Sequence, residues 1–141
     1  MAVVLDANFL VALITPHPLR ENAYLLFQDW IAQGIDLHAP ELARYEIANT
    51  LTRLTEANFF PPEELAPVCA ELFALPITYH ILTVEPRVVE IAVSLQRHSA
   101  YDAAYLALAE TLAAELWTLD ESLYRNAAEL GFAVRLLGES Q

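Results

Sequence analysis

The sequence predicts an α/β domain with a central parallel sheet flanked by helices, and three observations carry that prediction. Short apolar runs rich in β-branched residues, beginning with Ala2-Val3-Val4-Leu5, alternate with stretches of helical periodicity. One of those stretches, Ala103 to Ala109, is apolar on every side, as expected of a centrally buried helix. Two of the strand candidates run into an aspartate, Asp6 and Asp120, each followed by a helical pattern. Parallel strands all end at one edge of the sheet, and in open α/β sheets ligands bind at that edge.

Taken in order, Ala2 to Leu5 forms the first strand, and Phe9 to Ile14 continues as a helix. Asp6 stands at their junction. An Asp before a helix commonly caps it, contributing about 0.5–2 kcal/mol, so Asp6 is both an N-cap candidate and a site candidate. Thr15-Pro16-His17-Pro18 interrupts the pattern, and a second helix is expected from about Leu19 to Ala32, with Tyr24, Phe27, Trp30 and Ile31 as its apolar positions. Gly34 ends it. Ile35 to Ala39 alternates with period two and reads as the second strand, after which Pro40 suits the first turn of a long helix reaching Asn58.

On a wheel of 100° per residue, Ala43, Ile47, Leu51, Leu54 and Ala57 share one arc of that third helix. Glu46, Asn49 and Arg53 form a polar stripe along its border, where Glu46 either points into a cleft or belongs to a solvated edge. Phe59-Phe60-Pro61-Pro62 stops the helix, and Glu63 to Leu75 reads as the next, with Pro67 tolerable only near its beginning. Ile77 to Thr83 is the next strand. Pro86 to Arg97 follows as a helix with Val88, Ile91, Ala92 and Leu95 inward. Ser99 and Asp102 then match a capping box, with Asp replacing the usual Glu or Gln, ahead of the buried helix. Leu116 to Leu119 is a strand closed by Asp120, Glu121 to Leu130 a helix ended by Gly131, and Phe132 to Leu137 the last strand.

A chain of 141 residues fits one domain, residues 1–141, with a core of its own. Its apolar share of 56% exceeds the ~45–50% of an ordinary soluble domain and points to a buried self-interface or a groove for a partner. No apolar run reaches the ~18 residues of a membrane span, and the N-terminus lacks a basic signal-peptide start, so a cytoplasmic protein is expected. The lone Cys69 rules out an internal disulfide framework and a cysteine zinc cluster. The four histidines show no metal-ligand spacing and read as structural or solvent-facing. A net charge of −12, with arginine as the only basic residue type, excludes a general nucleic-acid binder. It leaves room for an acidic metal pocket.

Asp6 and Asp120 close strands on one edge, Asp102 opens the buried helix, and Glu46 borders a buried helical face. Four carboxylates from distant parts of the chain either converge on one pocket or are four acidic caps. Oxygen-only ligands without Cys or ordered His favour Mg²⁺ or Mn²⁺ over zinc.

Val3 to Asn8, Tyr45 to Asn49, Ser99 to Ala109 and Trp117 to Asp120 resemble the acidic motifs of PIN-domain proteins, most closely the VapC-type toxins of toxin–antitoxin pairs. The resemblance covers essentially the whole chain in the right order, and its most specific part surrounds Asp102. It implies a PIN-like three-layer fold and a Mg²⁺- or Mn²⁺-dependent endoribonuclease, often dimeric, that hydrolyses RNA phosphodiester bonds with metal-activated water and is held inactive by a cognate antitoxin. By position, Asp6, Glu46, Asp102 and Asp120 match the metal-binding and catalytic acids. Asn8, Asn49, Ser99 and Thr118 match supporting polar positions. The chain departs from the pattern in its acidity, and Arg44, Arg53, Arg97 and Arg125, near the motifs, are the candidates for local phosphate contacts.

Two other classes compete. A catalytically weak or inert PIN-fold interaction module would account for the charge and the apolar excess. A phosphoacceptor signalling domain also pairs a parallel sheet with an acidic pocket, but receiver-type domains use a lysine that this chain lacks. The apolar excess also leads us to expect a homodimer, with Phe59 to Leu82 contributing.

Overall fold

In the computed structural model, residues 1–96 and 100–138 are described. Five strands form one parallel sheet: β1 (Ala2–Leu5), β2 (Asp36–Pro40), β3 (Ile77–His80), β4 (Glu115–Thr118) and β5 (Val134–Leu136), in the spatial order β3-β2-β1-β4-β5. Between them run α1 (Ala7–Ile14), α2 (Arg20–Ala32), α3 (Leu42–Glu56), α4 (Leu65–Phe73), α5 (Glu85–Ser94), α6 (Tyr101–Thr111) and α7 (Glu121–Glu129). The chain order reverses at β1. The second strand lies on one side of it and the fourth on the other, which opens a crevice at the C-terminal end of β1.

Successive side chains of a strand point to opposite faces, so β1 divides its apolar residues between two cores. Val4 joins Leu106, Ile91, Leu116 and Leu123 under α5, α6 and α7. Val3 and Leu5 join Phe9, Leu10, Trp30, Ile47, Leu51 and Leu72 under α1 to α4. The result is the expected three-layer α/β arrangement. Every residue from Ala103 to Ala109 is buried, and its many alanines let α6 lie close to the sheet. Among the described residues no helix is long and apolar enough to cross a membrane.

Several element ends differ from expectation, each for a local reason. Pro40 ends β2 instead of opening α3. Beyond His38 the central strand no longer runs alongside, so a residue without an N–H is tolerated there. The third helix stops at Glu56 because Asn58 adopts φ 60, and the Phe59 and Asn58 amides return to Leu54 and Thr55 at 3.0 and 3.1 Å, an αL cap that satisfies the last carbonyls. The segment expected as one helix from Glu63 divides into a 3₁₀ turn, Pro62–Glu64, and α4, whose first turn accommodates Pro67. Strand β3 ends at His80, opposite Pro40, because β2 offers no further partner. On α2, Trp30 is buried and Phe27 half-buried, but Tyr24 and Ile31 are exposed, so its inner face is narrower than its apolar residues suggest.

The N-cap of α6 is Ala100, without a side-chain cap bond, which puts Asp102 at the second helical position instead of the third that a capping box needs. Ser99, with Arg97 and His98, lies outside the described residues. His38 and His80, far apart in sequence, meet across β2 and β3 with Nδ1 and Nε2 2.8 Å apart.

Candidate active site

Asp6 lies one residue beyond β1, in extended backbone with φ −81 and ψ 167, where the strand turns into α1. Its two oxygens have different partners. Oδ1 accepts the Phe9 amide at 2.8 Å, which is the cap; Oδ2 accepts the Thr118 hydroxyl at 2.5 Å, which ties it to the end of β4. Asp6 is 7% exposed, and burial pushes its carboxyl up from 3.8 to about 6, the hydrogen bonds from Thr118 and Phe9 opposing and the nearby Glu46 adding to the rise.

Thr118 is fully buried and polar, and its direction of donation is determined. Its oxygen accepts the Asp120 amide at 3.0 Å, so its one proton is left for Asp6. Asp120 in turn caps α7, with Oδ1 accepting the Leu123 amide at 3.0 Å.

Glu46 projects from α3 on the boundary that the helical wheel gives it. Half-buried, it accepts the Tyr105 hydroxyl on Oε1 at 2.6 Å. Burial raises its pKa, the Tyr105 hydrogen bond opposes that, and the neighbouring charge of Asp102 adds to it. Asp102, also half-buried, sits in the first turn of α6, where the helix dipole favours a negative charge.

All four acids line one cavity of about 150 Å³ at the C-terminal edge of β1, together with Asn8, Asn49, Thr50, Arg53 and Tyr105. Arg53 donates to the Thr50 hydroxyl at 3.2 Å, which holds the guanidinium on the cavity side of α3. Arg44 is elsewhere. It pairs with Glu41 at 3.4 Å and lies 4.9 Å from the centre of the Phe73 ring and 5.3 Å from that of Tyr79. Arg125 pairs with Glu121 along the exposed side of α7 and does not line the cavity. Arg97 and Ser99 lie outside the described residues. A wider depression of about 770 Å³ opens at the opposite edge of the sheet, but Arg87 is joined there to Glu110 at 3.0 and 3.1 Å and Arg135 to Glu115 at 3.2 Å. Its arginines are therefore engaged within the chain, and none of the four acids reaches it.

Tyr105 was not among the expected site residues. The signal was a phenol three residues after Asp102, within the stretch Ala103 to Ala109 that is otherwise Ala and Leu.

The donor set fits a hard divalent cation. It is all oxygen, and the neighbouring negative charges that add to the raised pKa of Asp6 and of Glu46 are what a bound positive charge would relieve. Among the described residues no three His, Cys, Asp or Glu come close enough together to hold an ion by themselves.

The PIN domain family model matches residues 3–129. Ribonuclease VapC3 of Pyrobaculum aerophilum is 30% identical over 125 residues, covering 87% of this chain and 92% of that protein. Among solved structures, VapBC2 of Rickettsia felis, bound to a DNA fragment from its promoter, is similar with a TM-score of 0.71 at 13% identity, over 97% of this chain and 99% of that one. VapC20 of Mycobacterium tuberculosis, a toxin that cleaves the sarcin-ricin loop, is similar with a TM-score of 0.62 at 16% identity, over 92% and 95%.

Proposed function

The chain belongs to the PIN domain family, and from that premise we propose that it is a metal-dependent endoribonuclease, the toxin of a type II toxin–antitoxin pair. The observation that carries this reading is the meeting of Asp6, Glu46, Asp102 and Asp120 in one cavity at the C-terminal edge of the sheet. The active unit is a single domain, residues 1–141, working in the cytoplasm as a homodimer that a cognate antitoxin holds inactive. A relative named Ribonuclease VapC3 supports the ribonuclease part of this reading, and the likeness to VapBC2 supports its fold.

Asp6, Glu46, Asp102 and Asp120 would hold Mg²⁺ or Mn²⁺. Such an ion would supply Lewis-acid polarisation of a phosphoryl oxygen and make water nucleophilic at neutral pH. The chain's residues do the rest. Thr118 keeps one Asp6 oxygen an acceptor, and the Leu123 amide orients Asp120. Arg53, Asn8 and Asn49, on the lining, contact the RNA phosphates. Arg53 is the local positive charge that a chain of net −12 needs to bring in a polyanion.

The test is cleavage of a broad RNA pool with Mn²⁺ by wild type and by Asp6→Asn and Asp102→Asn proteins shown to be folded. The reading predicts turnover by wild type alone. Equal turnover by all three rules the mechanism out. Mn²⁺ binding without cleavage by wild type would favour the interaction module.

A further inference from the structure

We infer that Tyr105 is a positioning residue of the acidic cavity: its hydroxyl holds Glu46 in one orientation, as an acceptor through Oε1, so that the other carboxylate oxygen is the one offered to a cation. The inference rests on reading the cavity as a Mg²⁺ or Mn²⁺ site.

Tyr105 is 2% exposed, and a phenol buried this deeply needs a partner for its hydroxyl. It has one: the hydroxyl donates to Glu46 Oε1 at 2.6 Å. An ionised carboxylate can only accept, so the bond between α6 and α3 runs in one direction.

Tyr105 lies one turn after Asp102, and Glu46 is the acceptor, so the bond joins elements that carry two of the four acids. Asp6 likewise accepts from the Thr118 hydroxyl. The two acids thus each accept from a buried hydroxyl. A Tyr that merely filled space would need only its ring, and Phe would replace it.

The test is calorimetric titration of Mn²⁺ into wild type, Tyr105→Phe, Glu46→Gln and the double variant, with melting of each metal-free protein as the check on folding. We expect Tyr105→Phe to melt cooperatively and to bind Mn²⁺ about 10- to 100-fold more weakly, as when an outer partner of a metal ligand is lost. In the Glu46→Gln background the same change should have little further effect. Wild-type affinity in Tyr105→Phe, with binding reduced in Glu46→Gln, overturns the role of Tyr105 and leaves the cation reading intact. Absence of Mn²⁺ binding by wild type overturns the cation reading and this role with it.

Discussion

The Thr118 hydroxyl donates to Asp6 Oδ2 at 2.5 Å, joining residues 112 positions apart at the ends of two neighbouring strands. The pairing of Leu5 with Trp117 in the β1–β4 register brings them together. Both residues are buried, so this bond is made away from water, where an unmatched partner is costly.

Thr118→Val keeps the shape and removes the donor. Asp6 then keeps only its cap bond, and the Asp120 amide loses its acceptor. We expect a loss of about 1–3 kcal/mol at neutral pH, measured by urea denaturation, and a smaller loss in mild acid, where Asp6 is protonated.

Asp6 gives stability a definite pH dependence. Its folded-state pKa of about 6 lies above the ordinary 3.8, so the native state holds the proton more tightly than the unfolded chain. The resulting stabilisation is fully present below about pH 4 and is lost as pH rises through about 6. A rise of about two units corresponds to ~3 kcal/mol. Comparing metal-free wild type with Asp6→Asn between about pH 4 and pH 7 should show this loss in wild type and its absence in the variant. Mn²⁺ competes with the same proton, so its affinity for wild type should increase across that interval.

Arg53 and Arg44 should separate cleanly. Arg53→Ala removes a cavity-lining cation, which is expected to weaken RNA binding and reduce the salt dependence of affinity by about one charge. Arg44→Ala should leave RNA binding unchanged and cost about 1 kcal/mol of stability, because its guanidinium packs over Phe73 and Tyr79. Filter binding at several salt concentrations and thermal melts check both.

What was legible in the sequence depended on range. Alternating apolar runs placed all five strands, because a parallel sheet covered on both faces leaves a signal within each strand. Helix ends were displaced where the deciding contact was distant or conformational, as at Pro40, where strand pairing decided, and at Asn58, where a left-handed residue did. The four acids were each visible as a strand end or a helix boundary. Their convergence was not, since it depends on the reversal of strand order at β1. Tyr105 and the placement of Arg44 were missed for the same reason: one is defined by a bond spanning 59 residues, the other by rings on α4 and β3.

The most direct measurement is the titration of Mn²⁺ into metal-free wild type and Asp102→Asn, following heat and melting temperature together. A shared cation site predicts saturable binding by wild type with a higher melting temperature, about 2.7 kcal/mol of added stability at a hundredfold excess over Kd, and loss of both in the variant. Absence of heat and of any melting shift in wild type would contradict the site, leaving the four carboxylates as helix caps and boundary residues.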